Sequence, residues 1–306
     1  MGVNRKKTTK SLSQGRPPLF KSNNASISRK AARTLIRKHH TLDKQRQQAL
    51  KAGDEIAAAA ASSEIEALGG LDRYQQASLL GQSKTRGGDS SKLLLEWLEP
   101  LISARRGRGG GGSESRIKML EVGALSTANA CSSSGSFDTV RIDLNSQGPG
   151  ILKQDFMERP LPANTGERFD IISLSLVLNF VPDPLGRGEM LRRTTEFLHQ
   201  LSPASPPELG LLPSLFLVLP SSCVLNSRYC DEARLEEIMT SFGYTKVKSK
   251  ISHKLVYYLW TLDLSSASTA PPRTFPKKEV NPGPKRNNFA IVLGSGSSAS
   301  RGDTGE

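Results

Sequence analysis

Arg116-Ile-Lys-Met-Leu-Glu-Val-Gly-Ala-Leu-Ser126 and, after a polar spacer, Val140-Arg-Ile-Asp-Leu-Asn145 decide how this chain is read. Ile117 to Val122 is a short apolar run that carries one acid, Glu121, and breaks at Gly123. A run of that length bounded by glycine reads as a buried strand. Thr139 to Ile142 reads as a second short strand, ending at Asp143, twenty-two residues beyond Glu121. Strand, glycine turn, short helix, strand and terminal acid make up the first half of a nucleotide-binding α/β domain. The glycine lets backbone approach a ligand, and the acid closing the second strand can accept hydrogen bonds from both ribose hydroxyls.

The turn has one glycine where a dinucleotide fingerprint has three, so a pyrophosphate has no obvious cradle. A nucleoside ligand without phosphates is favoured, and S-adenosylmethionine is the common one. A structural turn in some other α/β domain would show the same bare pattern.

Downstream the alternation of strand and helix continues. Ile151 to Phe156 predicts a third strand, with Asp155 as another terminal acid. An acid there suits the exocyclic amine of a bound adenine, although a loop acid or helix cap reads the same. Phe169 to Leu178 is the longest apolar run and predicts a central strand covered on both faces. Gly188 to Leu201 and Asp231 to Phe242 have helical periodicity, with Leu215 to Leu219 as a strand between them. Thr245 to Ile251 and Leu255 to Leu262 alternate and predict a closing antiparallel pair. Upstream, Ile27 to Leu50 and Asp54 to Leu80 permit helix, the second interrupted at Gly69-Gly70. Asp89-Ser90-Ser91 reads as a cap for an amphipathic helix from Lys92 to Ile102.

Charge divides the chain unevenly. The net charge is +13, and residues 1–50 hold thirteen Lys and Arg against the single acid Asp43, which leaves the rest nearly neutral. A basic arm on a neutral body points to phosphate contact, nuclear import or both, although a solvated tail has the same composition. No apolar run is long enough for a membrane span, and the N-terminus lacks the apolar core of a signal peptide. Cys131, Cys223 and Cys230 lack zinc spacing, and His39-His40 has no further ligands nearby, so no metal site is expected. The expected division is a basic tail at 1–27, a helical extension and Gly-rich linker at 28–112, an α/β domain at 113–264, and a polar C-terminal tail at 265–306. Within that tail the apolar patch after Lys285 suggests docking of 285–293 on the body.

Five strand–helix units and a closing hairpin match the Rossmann-like, class I S-adenosylmethionine-dependent methyltransferases. Their sheet is mostly parallel and seven-stranded, with one antiparallel strand. In such sheets the ligand lies over the carboxyl ends of the strands, which would gather Gly123, Asp143, Asp155 and Asn179 around one crevice, with Glu121 as a further cofactor-binding candidate. Asn179-Phe180-Val181-Pro182 loosely resembles the Asn-Pro-Pro-Phe loop of adenine methyltransferases. A side-chain amide there can bond an adenine edge, and an aromatic ring can stack on the base.

Several segments are more specific. Leu120–Leu125, Arg141–Asn145, Gln154–Phe156 and Ser175–Pro182 resemble the fungal 25S ribosomal RNA adenine-N1 methyltransferases. So do Tyr74–Ser78 with Gly87–Lys92, Asn226–Tyr229 and Asn287–Ile291, and the similarity spans roughly residues 30 to 293. The resemblance implies S-adenosylmethionine as cofactor, N1-methyladenosine in large-subunit rRNA as product, rRNA or a pre-ribosomal particle as partner, and the nucleolus as location. It carries the family's cofactor positions to Gly123 and Asp143. An animal branch of the same family resembles an S-adenosylmethionine sensor, which leaves a regulatory reading open. A small-molecule methyltransferase would leave the basic arm unexplained.

Overall fold

The computed structural model describes residues 29–70, Arg73, Ala77, 89–107, 116–146, 148–200, 210–263 and 273–294. Among these residues one sheet organises everything from Arg116 onward. Its strands are β1 (Ile117–Val122), β2 (Phe137–Asp143), β3 (Leu152–Lys153), β4 (Ile171–Ser175), β5 (Ser214–Pro220), β6 (Tyr244–Ile251) and β7 (Leu255–Leu262). The order is β3-β2-β1-β4-β5-β7-β6, and only β7 runs against its neighbours. This is the mostly parallel seven-stranded sheet expected from the alternation of elements.

Strand periodicity divides the core into two layers. On β5, Leu215, Leu217 and Leu219 enter one layer while Phe216 and Val218 enter the other. The first layer is covered by α5 (Pro184–Phe197) through Met190, Leu191 and Phe197, and by α7 (Glu232–Ser241) through Leu235, Ile238 and Met239. The second is covered by α3 (Ser91–Gly107) through Leu94, Leu98, Leu101 and Ile102. Each fully buried leucine of this kind contributes on the order of 2 kcal/mol. Two short helices, α4 (Ala130–Ser133) and α6 (Ser222–Leu225), follow β1 and β5. Ahead of the sheet, α1 (Arg29–Ala52) packs on α2 (Glu55–Ala67) through Leu42, Ala58, Ala61 and Ile65. Asp54 caps α2 by accepting from Ala57 N–H.

Several boundaries differ from the sequence reading, each for a local reason. The third strand shrinks to Leu152–Lys153, because the Asp155 carboxylate accepts from Met157 N–H at 2.7 Å and turns the chain. The fourth stops at Ser175, because Leu176 adopts φ +60° and leads into a short 3-10 turn, Leu178–Phe180. α5 starts four residues earlier than expected, with Asp183 at its N-cap and Pro184 in its first turn, a position proline suits. It ends at Phe197, because Leu198 bridges back to Phe169.

A strap of chain, residues 273–294, closes over α5 and the loop after β5. Phe275 pairs with Leu293, and Phe275, Phe289, Ala290 and Ile291 are buried. Its contacts therefore reach upstream of the apolar patch at 285–293. Gly188 on α5 is where the strap comes closest. A Cβ there would lie 2.1 Å from Val292 O, so only glycine fits. Tyr74 to Ser78 lies outside the described residues apart from Ala77, and so does the Gly87-Gly88 pair.

Candidate cofactor and base site

The carboxyl ends of β1 to β4 form a continuous row. Gly123 follows β1 with φ +73°, a conformation that side-chain-bearing residues rarely adopt. Its N–H and that of Ala124 both donate to Ile142 O, at 2.9 and 3.1 Å, which ties the turn to the end of β2. A Cβ on Gly123 would sit 2.6 Å from Val177 Cγ2, so the turn also touches the loop after β4. Asp143, the last residue of β2, accepts from Asn145 N–H at 2.8 Å, and this bond orients its carboxylate. Asp143 O accepts from Gln154 N–H at 2.9 Å, which brings Asp155 alongside. Asp155, Asp143, Gly123 and Asn179 thus stand in sequence along one edge of the sheet.

Asn179 sits in the 3-10 turn beyond β4, and its Oδ1 is buried with no hydrogen-bond partner among the described residues. An unpaired buried amide oxygen costs on the order of 1–3 kcal/mol. A ligand donor at that point would recover this cost. Phe180 shares the turn, its N–H donating to Val177 O at 2.8 Å.

Glu121 stands apart from the row. Both of its oxygens accept from Asn129 Nδ2, at 2.8 and 2.9 Å, and Arg141 Nε lies 3.9 Å away. Asn129 in turn caps α4, accepting from Ser132 N–H. Burial pushes the Glu121 carboxyl above its ordinary range, and its bonds to Asn129 and Arg141 only partly oppose this. Glu121 thus ties β1 to the cap of α4.

The segment around Asp89, read from sequence only as a helix cap, spans further. Asp89 Oδ1 accepts from Ser91 N–H and Oγ–H, while Oδ2 accepts from Ala130 N–H at 2.6 Å. Ser90 Oγ hydrogen-bonds Ser175 Oγ at 2.8 Å. One short segment thus joins α3, α4 and the tip of β4. The acid spacing showed only the local cap.

Arg187, on the first turns of α5, was not singled out from the sequence. It is 9% exposed. It donates to Val181 O at 2.8 Å, Pro182 O at 3.4 Å and Ala290 O at 2.7 Å, and its guanidinium lies 4.6 Å from the centre of the Phe289 ring. It fastens the end of the Asn179–Pro182 loop to the strap.

Residues 59–291 match the family described as 25S rRNA (adenine(2142)-N(1))-methyltransferase, Bmt2. The chain belongs to that family. Its matched region contains the whole row of strand-end residues and the strap as far as Ile291. A 25S rRNA (adenine(2142)-N(1))-methyltransferase of Saccharomyces cerevisiae is 42% identical over 232 residues, which is 75% of this chain and 62% of that protein. A 25S rRNA adenine-N(1) methyltransferase of Schizosaccharomyces pombe is 40% identical over 264 residues, 84% of this chain and 89% of that one. Among solved structures, the Burkholderia thailandensis 1,6-didemethyltoxoflavin-N1-methyltransferase is 14% identical, covering 60% of this chain and 85% of that one, with a TM-score of 0.36. This Bmt2-family member carries a glycine directly after its first strand and an aspartate at the end of its second.

Proposed function

We propose that this chain methylates N1 of an adenine in large-subunit rRNA, with S-adenosylmethionine as donor. The observation that carries the reading is the row Asp155, Asp143, Gly123 and Asn179 in a chain of this family. The residues suit the cofactor: a backbone turn without a Cβ, an oriented carboxylate at the end of β2, and a second acid next to it. Asp143 would hold the ribose hydroxyls and Asp155 the exocyclic amine, with Gly123 giving close approach. When bound, the cofactor supplies an electrophilic methyl group.

The chain's own part is alignment and exclusion of water. Adenine N1 is uncharged near neutral pH and carries no proton, so its lone pair needs no general base. Asn179 Oδ1 would accept from the target adenine's amino group, and Phe180 would stack on the ring. Glu121 acts indirectly, holding Asn129 and the turn. The same reading puts the activity on rRNA or a pre-ribosomal particle in the nucleus, at the nucleolus. The basic segment 1–27, which favours that partner, lies outside the described residues.

The test is reverse-transcription mapping of N1-methyladenosine across 25S rRNA, since the modification blocks the pairing edge. A stop should vanish without the protein and fail to return with an Asp143→Ala copy. That variant should also bind cofactor more weakly, by on the order of 1–3 kcal/mol. An unchanged map would turn the reading toward a cofactor-binding regulator.

A further inference from the structure

The outer strand β6 and its turn carry Lys246, Lys248, Lys250 and Lys254, and a β-bulge separates the first from the others. Lys246 stands opposite Trp260, on the face that holds α5 and α7. Its ammonium pairs with Glu232 at 3.2 Å and Glu236 at 2.8 Å on α7. Beyond the bulge, Lys248 stands opposite Leu259 and Lys250 opposite Tyr257, which belong to the other face. Strict alternation would have kept all three lysines on the face of Lys246. The extra residue re-aims the later two away from the acids of α7. Lys248, Lys250 and Lys254 are exposed, and none has an ion-pair partner among the described residues.

The end of the strand at which they gather matters as much as the face. Ser221, the first residue after β5, donates its N–H to Lys254 O at 2.8 Å. Leu176 N–H, just past β4, donates to Val218 O on β5. The β6–β7 turn therefore shares the sheet edge with Asn179, with β5 and β7 between. At about 4.8 Å per strand, β6 lies roughly 14 Å from β4, a span that a few nucleotides flanking a docked base would cover. Lysines on an edge strand also discourage strand pairing. That role requires neither a particular face nor the end next to the base site.

We propose that Lys248, Lys250 and Lys254 form a contact surface for the phosphates of the rRNA strand that presents the target adenine. This rests on the proposed function and adds to it a path for the substrate across the folded body. Single-stranded nucleic acid gives a salt slope of about 0.7 per neutralised phosphate. The experiment measures binding of the full chain to a transcript of large-subunit rRNA between low and moderate salt, together with methyl transfer to the same transcript. The triple variant K248Q/K250Q/K254Q should lower the slope of log affinity against log salt by about 2. Its KM for RNA should rise about tenfold, with kcat and S-adenosylmethionine affinity unchanged. K246Q, which alters the lysine already paired on α7, should keep the parental slope. Equal slopes for parent and triple variant, or an equal loss in K246Q, would overturn the inference while parental methylation left the proposed function standing. A parent that binds but does not methylate would sink the proposed function, and the slopes would still decide the surface. A parent with no salt-dependent binding would overturn both.

Discussion

The two halves of the sheet's carboxyl edge are held in different ways. On the side of β1 to β3 the supports come mainly from the same stretch of chain. Gly123 and Ala124 bond Ile142, Glu121 bonds Asn129, and Asp143 bonds Asn145, all within about thirty residues. On the side of β4 and β5 they come from far away. Arg187 reaches Ala290, Ser227 Oγ donates to Phe289 O, and Gly188 leaves room for Val292. A site built locally forms with its own strands. The loop that would hold the base depends instead on the strap at the far end of the chain. Cofactor affinity and base positioning should therefore come apart under mutation.

The sharpest way to break this contrast is Arg187→Met. It removes three hydrogen bonds to carbonyls, at least one of them fully buried. Charged hydrogen bonds are worth about 1.5–3 kcal/mol each, and stranded acceptors add to the loss, so the variant should lose on the order of 3 kcal/mol or more in denaturant unfolding. Arg187→Lys keeps the charge but not the planar fork and should recover only part of it. In protein that remains folded, methyl transfer should fall through kcat while cofactor affinity holds. An equal loss of cofactor affinity in the lysine variant would mean that the two halves are one unit.

Gly123→Ala probes the local half and should have a smaller effect. The new Cβ meets Val177 Cγ2 at 2.6 Å and must also accept φ +73°. Overpacking and backbone strain together cost about 1–3 kcal/mol. Adding Val177→Ala should relieve the clash and leave the backbone share. Full rescue by the double variant would show that the positive φ costs little there. Calorimetry on the single variant should show weaker cofactor binding, the reverse of the Arg187 pattern.

This division also explains what the sequence could reveal. β1, β2, β5 and the closing hairpin were legible because apolar runs and alternation are local, and Gly123 after β1, Asp143 ending β2 and Pro220 ending β5 mark strand ends. The positions of Gly123 just past β1 and Asp143 at the end of β2 were legible because a glycine break and a terminal acid mark strand ends within the local sequence. The early start of α5 was also signalled, by Asp183-Pro184, but the apolar periodicity beginning at Gly188 drew the boundary inward. Arg187 was not legible. Its partner Ala290 lies 103 positions away, and nothing in the spacing of either residue records the contact. Asp89 was read halfway: its bond to Ser91 is a cap, while its bond to Ala130 crosses forty-one positions. Neither periodicity nor composition carries a pairing of that kind.

The smallest expected effect separates the halves by pH. Glu121 is buried, and desolvation is the largest influence on it, raising its pKa above the ordinary 4.5; nearby Asp89 adds to this, while Asn129 and Arg141 oppose it. The folded protein then keeps a proton at pH values where the unfolded chain has released it. Stability therefore falls as pH rises from about 4.5 through the raised value, opposite to a carboxylate whose pKa is depressed. Glu121→Gln cannot ionise, so the stability of the parent minus that of the variant should decline across this window in denaturant titrations. A difference that grows with pH would mean that Asn129 and Arg141 outweigh burial, and that the acid is held as an ion-paired strut. The strap half offers no matching titration at Arg187. Burial shifts its pKa in the other direction, downward, but a guanidinium stays charged throughout this range. A pH dependence that survives in Glu121→Gln would have to come from elsewhere in the chain.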